Sequence, residues 1–331
     1  MSPDQPLLMV DGLKKHFPIH GGILLRQVGS VYAVDGVSFT IPAGRTLGLV
    51  GESGCGKTTV GQCVLRLYPP TAGAIRFDGR DMARLNRTEL RRVRKKIQVI
   101  FQDPFESLNP RHTVEYILEE PFRIHGLGDR AERRRRILHL LDRVGLPENA
   151  AGRFPHEFSG GQRQRVGIAR AIALSPRLIV CDEPVSALDV SIQSQILNLL
   201  LELQEEMGFA YLFIAHDLAV VKHISDMVAV MYLGKIVELT DADTIYLRPR
   251  HPYTRALIAA IPVPDPTAPP RDKHIAGDVP SPADPPPGCR FHTRCPHKIE
   301  ICATEEPRLS PVKGTNNQEH LVACHRAEEL A

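Results

Sequence analysis

The sequence predicts an α/β fold built on a parallel sheet. Three observations carry this. The apolar runs Leu178–Cys181 and Tyr211–Ala215 read as buried parallel strands. Helical patterns alternate with such strands along the chain. One short apolar strand, Arg45–Val50, runs straight into a glycine-rich turn that opens a helix.

The elements follow in order. Residues 7–50 alternate short β-like runs with turns, and loops are expected at Gly21-Gly22 and around Gly29-Ser30. After the glycine-rich turn, Val60, Val64 and Leu67 recur at helical spacing. Gly73–Gly79 is a strand between turn signals, and Ile97–Phe101 is another. Residues from about 112 to 175 read as mostly helical, and a further helix runs from about Ser191 to Met207. Met227–Tyr232 and Lys235–Leu239 straddle Leu-Gly, which predicts a hairpin. Ten of the 26 residues from Pro262 to Pro287 are proline. Proline fixes φ and removes a backbone donor, so this stretch reads as an extended linker.

Composition narrows the class. Of 331 residues, 43% are hydrophobic and 24% charged, as in an ordinary globular protein. A net charge of +3 does not mark a nucleic-acid binder. The basic runs Arg91–Lys96 and Arg133–Arg136 read as solvated helix faces. No apolar run approaches the roughly 18 residues that span a bilayer. The opening Met-Ser-Pro-Asp-Gln-Pro has neither a basic nor an apolar leader, so a cytosolic protein is expected.

Gly51-Glu-Ser53-Gly54-Cys55-Gly56-Lys57-Thr58-Thr59 is a complete phosphate loop. Its glycines let backbone N–H groups curl around phosphate oxygens, and the helix that follows points its positive end at the same anion. Lys57 would reach the β- and γ-phosphates, and the Thr58 hydroxyl would ligate Mg²⁺. The chain is therefore expected to bind a nucleoside triphosphate. Asp182 and Glu183 close the strand that starts at Leu178. One carboxylate is needed for Mg²⁺, which suits Asp182, and a second for activating water, which suits Glu183. Phe158-Ser159-Gly160-Gly161-Gln162 opens a helix as a second anion cradle, capped by Ser159. One triphosphate does not need two distant cradles. Two chains facing each other do.

With these motifs, Gln102 after a strand, Ser186–Asp189 after the Glu and His216 after another strand, residues 7–250 resemble the nucleotide-binding subunit of an ATP-binding-cassette (ABC) transporter. Leu13–Phe17, Phe101–Pro110, Pro155–Gln162, His251–Thr254 and the terminal cysteines resemble the oligopeptide/dipeptide importer family, and its F-type ATPase more than its D-type. The resemblance implies a RecA-like ABC ATPase core with antiparallel β and helical subdomains over residues 1–250. Residues 251–331 become the C-terminal region, made of the linker at 262–287 and a cysteine-rich tail at 288–331. It implies that Phe17 stacks on adenine, residues 51–59 hold the phosphates, and Thr58, Asp182 and Gln102 surround Mg²⁺. It makes Glu183 the catalytic base and His216 a γ-phosphate contact. Ser159, Gly160, Gly161, Gln162 and Asp189 serve the nucleotide of the opposite subunit, and the segment after Gln102 meets the permease. Phe158 stands where the general signature has Leu, in an apolar packing position.

The implied partners are two transmembrane permeases, a second ABC ATPase and an extracytoplasmic solute-binding protein, at the cytoplasmic face of the membrane. The implied function is ATP-driven peptide import, with nickel or another small solute as the alternative cargo. A soluble ABC ATPase acting on nucleic acid or ribosomes is the rival, but it would usually carry two cassettes or a coiled-coil insert, and no nucleic-acid partner is expected. A regulatory or redox-sensing protein built on the tail is a third reading.

Of seven cysteines, Cys55, Cys63 and Cys181 are scattered, while Cys289, Cys295, Cys302 and Cys324 crowd the end. In a reducing cytosol such a group is more often a metal site than a disulfide pair. Zinc favours closer C-x2–4-C spacings than occur here. Cys295-Pro296 resembles the Cys-Pro of ferredoxin-type ligation. A [4Fe-4S] cluster on the four thiolates is expected, with zinc, disulfides or no ligand as alternatives. His292, His297 and His325 could substitute as ligands, but the preferred reading is that they are solvent-facing polar residues.

Overall fold

In the computed structural model the strands are, in chain order, β1 (Leu8–Gly21), β2 (Arg26–Ile41), β3 (Thr46–Val50), β4 (Ala72–Phe77), β5 (Arg80–Asp81), β6 (Ile97–Ile100), β7 (Leu178–Asp182), β8 (Ala210–Ala215), β9 (Met227–Tyr232), β10 (Lys235–Asp241), β11 (Ser310–Pro311) and β12 (Leu321–Val322). The helices are α1 (Lys57–Val64), α2 (Arg87–Arg94), α3 (Val114–Ile124), α4 (Arg130–Arg143), α5 (Gly160–Ile172), α6 (Val190–Met207), α7 (Leu218–Ile224), α8 (Ala242–Leu247) and α9 (Pro252–Ala259). The structure describes residues 5–21, 26–103, 107–261, 277–312 and 320–330. Gly22, Pro104–Glu106 beyond Gln102 and residues 262–276 of the proline-rich segment lie outside the described residues.

The chain divides into two units. The first comprises Met1–Ile41, Thr46–Arg84 and Ala215–Ala331, and the second Pro42–Arg45 and Leu85–Ile214. The first unit thus takes in residues on both sides of position 250.

The first unit holds an antiparallel sheet ordered β2-β1-β4-β5. It also holds β3, parallel to β9, with Leu47 opposite Met227 and Val50 opposite Val230. The predicted hairpin is present: β9 and β10 pair antiparallel with Tyr232 opposite Lys235. Its two turn residues, Leu233 and Gly234, have φ of 43° and 83°. A tight two-residue hairpin needs positive φ, which glycine adopts without cost. The tail adds β12 to β10 and β11 to β12, so part of the expected extension is sheet.

The second unit carries parallel strands in the order β8-β7-β6, with Leu178 opposite both Ile97 and Ala210. Every residue of β8 is buried. Helices α3, α4 and α5 fill the stretch expected to be helical, each with a side-chain N-cap from Thr113, Asp129 and Ser159. The second basic run is not simply solvated. Arg133 and Arg134 on α4 pair with Glu119 and Glu115 on α3.

One expectation is corrected. Residues 7–50 do not form short runs, because β1 and β2 are strands of 14 and 16 residues. Gly29 and Ser30 are not loop residues but pair with Ile19 and Pro18. Four register shifts interrupt this ladder. Such bulges re-aim the side chains and so obscure the regular alternation by which a long strand is recognised.

Candidate active site

The phosphate loop joins β3 to α1 in the first unit. Gly51 and Gly56 are required there by space as well as by conformation. A Cβ on Gly51 would lie 2.1 Å from the Met231 carbonyl oxygen, and one on Gly56 2.0 Å from that of Ala33. Gly54 and Gly56 have φ of 78° and 107°. Lys57 is 4% exposed, and its Nζ donates to the carbonyls of Gly51 at 2.8 Å and Glu52 at 3.0 Å. The ammonium is thus folded over the loop it would leave to meet phosphates. Ser53, Gly54 and Thr58 are exposed. Cys55 is buried, and burial pushes its thiol up despite Lys57 nearby. The glycine backbone, the lysine and the exposed Thr58 fit a triphosphate and its Mg²⁺.

Phe17 lies on β1 and meets Tyr68 edge-on at 5.3 Å, with the Lys15 ammonium 4.9 Å from the Phe17 ring. Tyr68 is 41% exposed. His216 directly follows β8 and is exposed.

In the second unit, Asp182 ends β7 and Glu183 turns out of the strand with φ of 48°. A non-glycine residue in that region is strained, as is common where a side chain must be aimed. The Glu183 N–H donates to the Ile214 carbonyl at 2.9 Å, and Gln102 Nε2 donates to Glu183 Oε2 at 3.2 Å. Ser159 and Gln162 form a reciprocal cap: the Gln162 N–H donates to Ser159 Oγ at 3.4 Å, and the Ser159 N–H to Gln162 Oε1 at 3.1 Å. Gly161 faces α6, where a Cβ would stand 2.6 Å from Ile192 Cγ2. Gly160 lies near Leu188, and Asp189 starts α6 without a side-chain cap bond.

The four tail cysteines lie close together. The Cys289 N–H donates to the Cys302 carbonyl at 2.9 Å. Burial pushes the Cys289 thiol up to about 11, and the thiols of Cys302, Cys324 and Cys295 push it the same way. Burial likewise raises Cys295 and Cys324, which also sense Cys302. Among the described residues, no group of three or more His, Cys, Asp or Glu is arranged to hold a metal ion. Four thiols are the donors that a four-thiolate group would need, but the described residues are not arranged as one.

Two residues beside the loop escaped the sequence reading. Glu52 Oε2 accepts from Arg294 Nη1 at 2.9 Å, and its N–H donates to the Tyr253 hydroxyl at 2.8 Å. Tyr253 belongs to the His251–Thr254 motif, the only sequence signal for this contact. Arg294 gave none beyond its place next to Cys295. No helix among the described residues is long and apolar enough to cross a membrane.

The ABC transporter family matches residues 34–186, and the oligopeptide/dipeptide transporter C-terminal region matches residues 237–302. The chain is 54% identical to the oligopeptide transport ATP-binding protein AppF of Bacillus subtilis (strain 168), over 97% of each chain. It is 53% identical to a putative peptide import ATP-binding protein of Brucella ovis, over 98% of each. Among solved structures it resembles a dimeric ATP-binding cassette in a post-hydrolysis state bound to ADP and Pi. There the identity is 30% and the TM-score 0.63, over 71% of this chain and 98% of that one. It also resembles cbiO1 from Clostridium perfringens, part of the ABC transporter complex cbiONQ. That match has 26% identity and a TM-score of 0.64, over 74% of this chain and 92% of the other.

Proposed function

Because this chain belongs to the ATP-binding proteins of ABC peptide importers, we propose that it is the ATP-hydrolysing subunit that energises peptide uptake through partner permeases. The observation that carries the cargo is the likeness over nearly the whole chain, tail included, to peptide-import relatives. The Gln102–Glu183 pair at the end of β7 supports the hydrolysis.

Each unit contributes its own groups. In the first, Phe17 supports the base, the 51–59 amides and Lys57 hold phosphates, Thr58 serves Mg²⁺, and His216 meets the γ-phosphate. In the second, Asp182 and Gln102 serve Mg²⁺, and Glu183 takes the proton of the attacking water. Bound Mg²⁺ supplies charge neutralisation on the phosphates. Two ATPase chains face each other, so that Ser159, Gly160, Gly161, Gln162 and Asp189 of one complete the site of the other. The separate capped cradle at Ser159 supports this.

The permease docks on the helical part of the second unit. A groove there is lined by Thr113, Tyr116, Glu119, Arg130 and Arg134, and Phe101 and Tyr116 are each 40% exposed. The chain then sits on the cytoplasmic face of the membrane, with a solute-binding protein outside. The tail cysteines hold a [4Fe-4S] cluster. Cys289, Cys295, Cys302 and Cys324 would be its thiolate ligands. The mutual influence of the four thiols supports a shared ligand set.

Affinity purification of the tagged chain from solubilised membranes tests the assembly. Two multi-span membrane proteins and a second ATPase are expected to come with it. Ribosomes or nucleic acid in their place would favour a soluble ATPase and overturn the importer.

A further inference from the structure

We propose that Arg294, in the cysteine-rich tail, is a positioning residue for the phosphate loop and acts through Glu52. This rests on the ATP-binding reading above.

The tail is fastened to the first unit at two arginines. Arg290 donates to Asp35 Oδ2 at 2.5 Å and to the Leu233 carbonyl at 2.5 Å. Four residues on, Arg294 grips Glu52 with both arms, Nη1 to Oε2 at 2.9 Å and Nη2 to Oε1 at 3.4 Å. The Arg294 side chain is 7% exposed and that of Glu52 27%. The fork of a guanidinium on a carboxylate fixes direction as well as distance. The backbone of Glu52 is held separately by the Tyr253 hydroxyl. Tyr253 in turn packs against Tyr232 and Phe291, with ring centroids 4.7 and 5.4 Å away. Phe291 is itself a tail residue, buried to 2% exposure.

Glu52 is therefore pinned at its side chain by the tail and at its N–H by α9. Its carbonyl is one of the two that hold Lys57. A chain of direct contacts runs from Arg294 through Glu52 to the lysine of the loop. The charge matters as much as the position. Glu52 is a carboxylate inside a loop whose task is to receive a polyanion, and like charges repel. Arg294 cancels that charge while it holds the loop. Cys289 and Cys295 flank Arg294 in sequence, so whatever orders those cysteines also orders the arginine.

The test is ATP affinity of the full chain, read with a fluorescent nucleotide, for wild type, Arg294→Ala, Arg294→Lys and the double variant Arg294→Ala/Glu52→Gln. Arg294→Ala exposes the phosphates to an uncompensated carboxylate, and an affinity about tenfold weaker is expected. The double variant is expected to recover most of the loss, because the orphan charge is gone. Loss of tail packing alone would not be repaired by Glu52→Gln. Arg294→Lys keeps the charge without the fork and is expected to lose only about two- to threefold. Should Arg294→Ala fail to fold, Arg294→Gln with and without Glu52→Gln carries the same comparison, because it too removes the cation. Wild-type affinity in Arg294→Ala, or a double variant as weak as the single, would overturn the inference and leave the ATP reading intact. A wild-type chain that binds no ATP would overturn both.

Discussion

Gln102 Nε2 donates to Glu183 Oε2 across 3.2 Å, joining the end of β6 to the end of β7 through side chains that are 81 positions apart. Glu183→Gln keeps the shape of this arrangement and removes the base. Nucleotide affinity is expected to persist while phosphate release slows by about 10²–10⁴-fold. Turnover near that of wild type would show that Glu183 is not the base.

Gly161 is limited by Ile192. A methyl at position 161 would stand 2.6 Å from Ile192 Cγ2, and a β-branched side chain on a helix has little freedom to yield. Gly161→Ala is expected to cost about 1–3 kcal/mol of stability, the usual range for overpacking. Thermal melting would register a drop of a few degrees. Adding Ile192→Ala removes the obstructing methyl, and the double variant should melt above Gly161→Ala. If it melts lower still, the clash is not the cause.

His251 gives the fold an acid-sensitive point. Its imidazole is fully buried, and burial pulls its pKa from 6.5 down to about 4, with Glu238 acting in the opposite direction. Its ring nitrogen Nδ1 accepts from the Tyr253 N–H at 3.1 Å, capping α9. The native state keeps this group neutral, while the unfolded chain takes up a proton near pH 6.5. Between pH 6.5 and 4 the unfolded state therefore binds more protons, and stability falls as the pH falls. The contribution is on the order of 3 kcal/mol. His251→Asn preserves a capping oxygen and should flatten the dependence of unfolding free energy on pH between 7 and 5. Equal slopes for the two proteins would remove His251 as the source.

How much of this was legible in the sequence depends on the range over which each feature is encoded. The buried strands β7 and β8, the Ser159 cap and the Leu233-Gly234 hairpin are written in neighbouring residues, and each is present. The β1–β2 ladder was not legible, because its register shifts break the alternation that marks a strand. Nor was Arg294 on Glu52, a pair 242 positions apart. Phe291 reads as an isolated aromatic in a polar tail, yet it packs on Tyr232, Tyr253 and His251. Glu238 reads as the polar position of a hairpin strand, yet it is wholly buried and bonded to His320 at 2.8 Å. Only the fold brings these partners together.

The cysteines make a compositional prediction. Protein purified without oxygen is expected to be brown and to carry about four irons per chain, the content of one [4Fe-4S] cluster. Cys295→Ser should bleach it. Colourless protein with one tightly held zinc and no iron would replace the cluster with a zinc site.

The central claim is that hydrolysis by this chain drives peptide across a membrane. The most direct measurement is uptake of a radiolabelled oligopeptide into sealed vesicles that hold this chain with its permeases and second ATPase. The solute-binding protein is supplied on one side and ATP on the other. Wild-type vesicles are expected to accumulate the peptide only with ATP, and vesicles carrying Glu183→Gln to accumulate almost none. A complex that hydrolyses ATP yet moves no peptide, or Glu183→Gln vesicles that fill as fast as wild type, would contradict the account.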